Sequence, residues 1–297
     1  MHDPSPKPLA SSLAAQIQSA HPELVVSSAR LREGEGQFND VLVVNETLIF
    51  RFPRGPQAAA GMAATVGLLE RLRGRLPLPI PDPRYRATDP HTGALRWVGY
   101  PMLPGEPLWH ETLAALADEA ALDRLALQLA GFLRALHTLP PDVVAPHLAP
   151  RDEALVWAGL AADFERELFP FMRPDARNTV AAQLKELLED LRAGPSPLAL
   201  RHGDFGGGNL LYDPASLVVT GVIDFDFAGL GDPALDVAAL STYGEAFLAR
   251  GLPAYPAMAA MLPRARRYRA TFALQQALYA LRAGDQAEFE DGIAEYV

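Results

Sequence analysis

Apolar positions in the first hundred residues switch between helical and extended spacing. Leu9 to Ala20 has the period of an amphipathic helix, which should stop near His21-Pro22. Two extended runs follow, Asp40 to Val44 and Thr47 to Phe52, with Asn45-Glu46 between them as a tight turn. From Gln57 to Leu72, apolar residues recur at Met62, Val66, Leu69 and Leu72 and predict a second helix. Pro77, Pro79, Pro81 and Pro83 break that pattern, because each fixes its own φ and biases the preceding residue away from helix. Leu95 to Tyr100 is a further strand candidate, followed by Pro101-Met102-Leu103-Pro104-Gly105. The expectation is a small β-rich lobe with one main helix.

Beyond about residue 107 the period is helical. Glu119 to Leu139 carries Leu122, Leu125, Leu129, Phe132, Leu133 and Leu136 on one stripe. Further helices are expected over Glu153–Met172, Ala176–Leu191, Pro263–Ala283 and Gln286–Tyr296. Another should run from Asp232-Pro233 to about Ala249, since an N-cap aspartate followed by a first-turn proline starts a helix well. The fold class is therefore α+β. Residues 1–106 are read as an N-terminal lobe ending in a hinge at Leu103-Pro104-Gly105, and residues 107–297 as a helical C-terminal lobe.

Composition narrows the chemistry. The 297 residues contain no cysteine, which excludes disulfides, a thiol nucleophile and thiolate metal sites. The start, Met1 to Lys7, lacks a signal-peptide pattern, and no apolar run reaches the length of a membrane span, so a cytoplasmic protein is expected. The net charge of −10 disfavours a nucleic-acid partner. Its distribution is uneven: residues 1–106 hold 11 Lys and Arg against 10 Asp and Glu, and residues 107–297 hold 15 against 26. Such an excess suits a cationic small molecule on the second lobe, or serves solubility alone.

One segment of the second lobe is not helical. Leu210-Leu211-Tyr212 and Leu217 to Ile223 are short β runs joined by Asp213-Pro214-Ala215-Ser216, which has the chemistry of a hairpin turn. Arg201-His202-Gly203-Asp204-Phe205-Gly206-Gly207-Gly208-Asn209 precedes the hairpin, and Asp224-Phe225-Asp226 ends it. Folding at the turn returns Asp224 to the end where Asn209 sits. His-x-Asp-x4-Asn followed by Asp is the catalytic and metal-holding spacing of phosphoryl-transfer enzymes with a protein-kinase-like site. On that reading Asp204 orients a hydroxyl and accepts its proton, while Asn209 and Asp224 hold Mg2+, a hard cation that takes few protein oxygens. The competing reading makes Asp204 and Asn209 turn caps in a glycine-rich loop.

With Gly34-Glu35-Gly36, Leu48 to Arg54, Leu76-Pro77-Leu78-Pro79-Ile80-Pro81, Leu103 to Leu108, Phe132 to His137 and Asp204 to Asp236 in one order, the chain resembles the aminoglycoside phosphotransferases, most of all their 2″ branch. The resemblance runs from about Gly34 to the C-terminus and implies a bilobal, protein-kinase-like fold. It implies ATP or GTP as donor, a hydroxyl of a small polar molecule as acceptor, and neither nucleic acid nor membrane as partner. Gly34 and Gly36 then cover phosphates, Arg51 contacts the α/β-phosphates, and Tyr100 to Leu103, with Tyr100 and Met102 foremost, meet the purine. Relatives pair the basic strand residue with a helix glutamate, but Thr65 stands at that position here. Arg51 is accordingly expected to be held less firmly or to take another partner, with Glu70 facing elsewhere.

A small residue usually follows the metal aspartate by two. Asp226 occupies that place here and is expected to join the metals or face the acceptor. Gly206-Gly207-Gly208 is expected to pass close to the γ-phosphate. His202, Asp232 and Asp236 read as structural hydrogen-bonding groups, and His137 as a helix-end residue without chemistry. Two further readings stay open: a kinase for a macrolide, homoserine, choline or a sugar, and a weakly catalytic nucleotide-binding scaffold.

Overall fold

Alternation along the early strands builds the first lobe. In this computed structural model, which describes residues 9–32, 38–140, 152–193 and 198–297, β1 (Ala29–Leu31), β2 (Asn39–Val44), β3 (Leu48–Pro53), β4 (Tyr85–Thr88) and β5 (Leu95–Pro101) form one sheet. The strand order is β1-β2-β3-β5-β4, antiparallel throughout. Leu42, Val44, Phe50, Phe52 and Trp97 turn to one face, where Leu13 and Ile17 of α1 (Ala10–Ala20) cover them. Met62 and Val66 of α2 (Pro56–Leu72) cover Leu95, Val98 and Tyr100. Because side chains alternate along a strand, Arg51 points away from Phe50 and Phe52.

The sheet ends at Pro101, and the chain crosses to the second lobe at residues 102–105. There β6 (Glu106–Pro107), β8 (Leu210–Asp213) and β9 (Val218–Val222) form a three-stranded sheet in the order β6-β8-β9, and β7 (Ala199–Arg201) pairs with β10 (Gly229–Gly231). The short α3 (His110–Ala114) and the long α4 (Glu119–His137) follow the crossing. Leu125, Leu129, Phe132, Leu133 and Leu136 of α4 are buried in the main core. Each such side chain contributes about 1.5–3 kcal/mol of burial, so the β8–β9 hairpin rests on a firm floor.

Three predicted helices are interrupted. Glu153–Met172 is α5 (Glu153–Asp163), then a π-helical turn at Phe164–Leu168 and a 3₁₀ turn at Phe169–Phe171. Pro170, which lacks an N–H, stops the regular helix there. The helix expected from Asp232 to Ala249 is α7 (Ala234–Leu240) and α8 (Glu245–Gly251), separated by Gly244 at φ +97°. Pro263 lies inside α9 (Met258–Arg269) rather than starting a helix, and α10 (Phe272–Ala283) begins after a break at Ala270-Thr271. With α6 (Pro174–Arg192) and α11 (Gln286–Ile293), α10 encloses a second core around Phe164, Leu168, Leu184, Leu278 and Ile293. Among the described residues no helix is long and apolar enough to cross a membrane.

Candidate active site

The loop after β7 is held from below by one buried carboxylate. Asp236, on α7, accepts the backbone N–H of His202 at 2.7 Å, that of Gly203 at 2.8 Å, and His137 Nε2 at 3.0 Å. Burial pushes the Asp236 carboxyl up, but the His137 hydrogen bond and the charges beside it outweigh burial and leave it below the ordinary carboxylate range. His137 Nδ1 in turn meets the Tyr255 hydroxyl at 3.2 Å. The hydrogen bonds of His202 specify its tautomer: Nδ1 accepts the Asp204 N–H at 3.3 Å and Nε2–H donates to the Ile223 carbonyl at 3.0 Å. Gly203 needs φ +85°, and a Cβ there would collide with the Phe227 carbonyl, so no other residue fits.

Phe205 is fully buried and stacks on Phe132, with centroids 5.7 Å apart and planes at 13°. This anchor leaves its neighbour Asp204 exposed. Gly207 lies against the Leu108 carbonyl and Gly208 against the Trp109 ring. Gly207 and Gly208 thus allow close packing on the segment after the crossing, contacts that neither support nor oppose the expected passage along a phosphate.

The hairpin forms as expected. Leu210 pairs with Val222, and Ile223 N–H donates to the Asn209 carbonyl at 2.9 Å. Asp213 accepts the N–H of Ala215 at 3.0 Å and closes the turn. The Asn209 amide nitrogen donates to the Asp204 backbone carbonyl at 2.9 Å and to Asp204 Oδ2 at 2.8 Å. With its nitrogen so engaged, Asn209 offers its oxygen to a cation.

Asp224 sits at φ +61°, a left-handed conformation uncommon for a residue with a side chain. Burial raises its pKa first, the Asp226 charge adds to that, Arg51 partly offsets both, and Asp204 raises it again. A divalent cation held beside Asp224 would offset that burial and the neighbouring negative charges. Among the described residues no group of three His, Cys, Asp or Glu forms an all-protein cage. One carboxylate and one amide oxygen fit Mg2+, which relies on phosphate and water for the rest of its shell.

Arg51 of β3 reaches across the cleft. Its Nη1 donates to Asp226 Oδ1 at 3.1 Å and its Nη2 to Asp226 Oδ2, and the Thr65 hydroxyl of α2 reaches Asp226 Oδ1 at 3.2 Å. Of the outcomes expected for Arg51, the structure shows another partner, Asp226. Asp226 turns toward Arg51 and Thr65 rather than standing free for the acceptor. Burial opposes the Arg51 charge, yet Tyr100, the Asp226 hydrogen bonds and the Asp224 charge together raise its pKa above normal. Glu70 faces away and pairs with Arg86 at 2.7 Å.

Tyr100 stands on the α2 face of the sheet beside Arg51, within the cleft. Met102 is part-exposed, but its N–H donates to the Thr47 carbonyl at 2.8 Å, so a base would meet its carbonyl rather than its amide. Gly34 and Gly36 lie outside the described residues. The role of His137 was missed: it supports Asp236 rather than a helix dipole. Its partner stands 99 residues on, beyond any local pattern.

A model of the phosphotransferase enzyme family matches residues 31–291. Viomycin phosphotransferase of Streptomyces vinaceus is 34% identical over 275 residues, spanning 88% of this chain and 91% of that protein. The structure of APH(2")-IIia in complex with GDP and kanamycin superposes with a TM-score of 0.86 at 26% identity, over 96% of each chain. The GDP complex of aminoglycoside 2'-phosphotransferase-IIIa gives 0.83 at 25% identity, again over 96% of each. With a family model over most of its length and a relative 34% identical across most of both proteins, the chain belongs to the phosphotransferase enzyme family.

Proposed function

We propose that the protein transfers the γ-phosphoryl group of ATP or GTP to a hydroxyl of an aminoglycoside. The observation that carries this reading is the exposed Asp204 carboxylate, fixed by Asn209 at 2.8 Å within a loop that Asp236 and Phe205 hold rigid. Asp204 accepts the acceptor's hydroxyl proton as the hydroxyl oxygen bonds to the γ-phosphorus. The bond from that phosphorus to the bridging oxygen breaks, and the nucleoside diphosphate leaves with its electron pair. Arg51 holds donor phosphate oxygens. Mg2+ held by Asn209 and Asp224 would supply the neutralisation that gathers the phosphate charges. Rate enhancement then comes from positioning and fixed charge, with no covalent enzyme intermediate.

The GDP complexes of two similar structures support a nucleoside triphosphate donor. The kanamycin in one of them supports the acceptor class. The acidic excess of residues 107–297 suits a cationic acceptor. A second reading, viomycin as acceptor, is favoured by the 34% identity to viomycin phosphotransferase. The test is a phosphate-transfer screen with ATP and GTP against aminoglycosides, viomycin, macrolides and metabolite alcohols. Transfer to kanamycin-type compounds supports the first reading, and transfer to viomycin alone selects the second. Transfer to neither replaces both.

A further inference from the structure

A charge on α2 is missing where a phosphate-facing arginine needs one. The helix carries a single acidic residue, Glu70, and Arg86 takes it at 2.7 Å. The carboxylate at Arg51 comes instead from the other lobe, two residues beyond Asp224. Phe225 between the two aspartates is buried, its ring edge-on to that of His202 with centroids 4.7 Å apart, so both carboxylates project from one pinned point. The Thr65 hydroxyl, on the helix where the missing charge would stand, reaches the same Asp226 oxygen and also the Gly61 carbonyl, at 3.2 Å each.

We infer that Asp226 is the positioning residue for Arg51, a carboxylate moved from the N-terminal helix to the C-terminal lobe, with Thr65 as its helix-side support. This rests on the reading that Arg51 faces the donor phosphates. The geometry leaves Arg51 able to do so. A guanidinium has five N–H donors in a fixed plane, and the Asp226 fork takes one from each Nη, leaving donors for Tyr100 and for anionic oxygens. A lysine could not be clamped in a plane and still present a directed face.

The arrangement has a consequence that a helix glutamate would not. Asp224 and Asp226 share one dipeptide-length frame, so the phosphate anchor and the metal ligand move together. Arg51 and Asp226 are both largely sequestered, with side-chain exposures of 15% and 22%, so solvent screens the pair little.

The test uses Asp226→Asn, which keeps shape and removes charge, and Thr65→Glu, which returns a carboxylate to the helix. Donor affinity is read directly with a fluorescent ATP or GTP analogue, alongside kcat and the KM values for donor and acceptor. Asp226→Asn should raise the donor Kd and KM about tenfold, the usual scale for a lost charge-assisted bond, and leave acceptor KM within about twofold. The double variant Thr65→Glu/Asp226→Asn should recover at least about threefold of that donor loss. A rise in acceptor KM alone, an unchanged donor Kd, or no recovery in a double variant with the wild-type melting profile would each overturn the inference. A wild-type chain that binds neither nucleotide overturns the functional reading and this inference together, whereas normal wild-type binding with an indifferent Asp226→Asn overturns the inference only.

Discussion

Asn209 holds Asp204 by two hydrogen bonds from one amide nitrogen, 2.8 Å to the carboxylate and 2.9 Å to the backbone carbonyl. The pairing aims the carboxylate and leaves the amide oxygen for the cation proposed above. Asn209→Ala removes both at once. We expect turnover to fall about a hundredfold, the lower end of what a mispositioned acid–base group costs, and the Mg2+ concentration for half-maximal rate to rise. A magnesium titration of initial rates checks it. An unchanged magnesium requirement would remove Asn209 from the cation site.

Asp236 supports the same loop from inside the protein. Asp236→Ala leaves two backbone N–H groups and His137 without their acceptor, which should cost about 3–5 kcal/mol in denaturant melts. The folded pKa of Asp236 lies below the ordinary aspartate value of 3.8. Its stabilisation is thus complete above pH 3.8 and is lost as pH falls through the lower folded value. Melts of the wild type should weaken below about pH 4, and those of Asp236→Asn should show a shallower acid slope. Equal slopes would mean that the group does not titrate on unfolding.

The acidic helices do not all await a cation. Glu167 is held to a pKa of about 2, chiefly by Arg282 and then by Arg166, and Asp163 shares both arginines. Glu288 and Asp291 take the Gln276 amide at 2.8 and 2.9 Å. Glu167→Gln should therefore change acceptor KM less than about twofold, because a half-buried carboxylate already paired with two arginines has little left to offer a further cation. The same substitution should remove a small part of the stability lost between pH 4.5 and about 2. A large rise in acceptor KM would instead place Glu167 in the acceptor pocket.

What was legible in the chain was what is local. The hairpin from Leu210 to Val222 announces itself by β runs around Asp213-Pro214-Ala215-Ser216, and it brings Asn209 to Asp224 by simple geometry. The partner of Arg51 was not legible, because Asp226 lies 175 residues away and only the closing of two lobes unites them. His137 and Asp236, 99 residues apart, are the same case inside one lobe. Helix ends failed where one residue mattered more than the period, as at Pro170 and Gly244. The contacts of Gly207 with Leu108 and of Gly208 with Trp109 were not legible either, because no spacing reveals them.

The most direct test removes the carboxylate proposed as proton acceptor, together with its hydrogen bond from Asn209. With Asp204→Ala, nucleotide Kd and melting temperature should stay near wild type while phosphoryl transfer to the best acceptor falls by about a thousandfold. Single-turnover transfer within tenfold of wild type, from a variant that binds nucleotide normally, would contradict the assignment of Asp204 and the chemistry built on it.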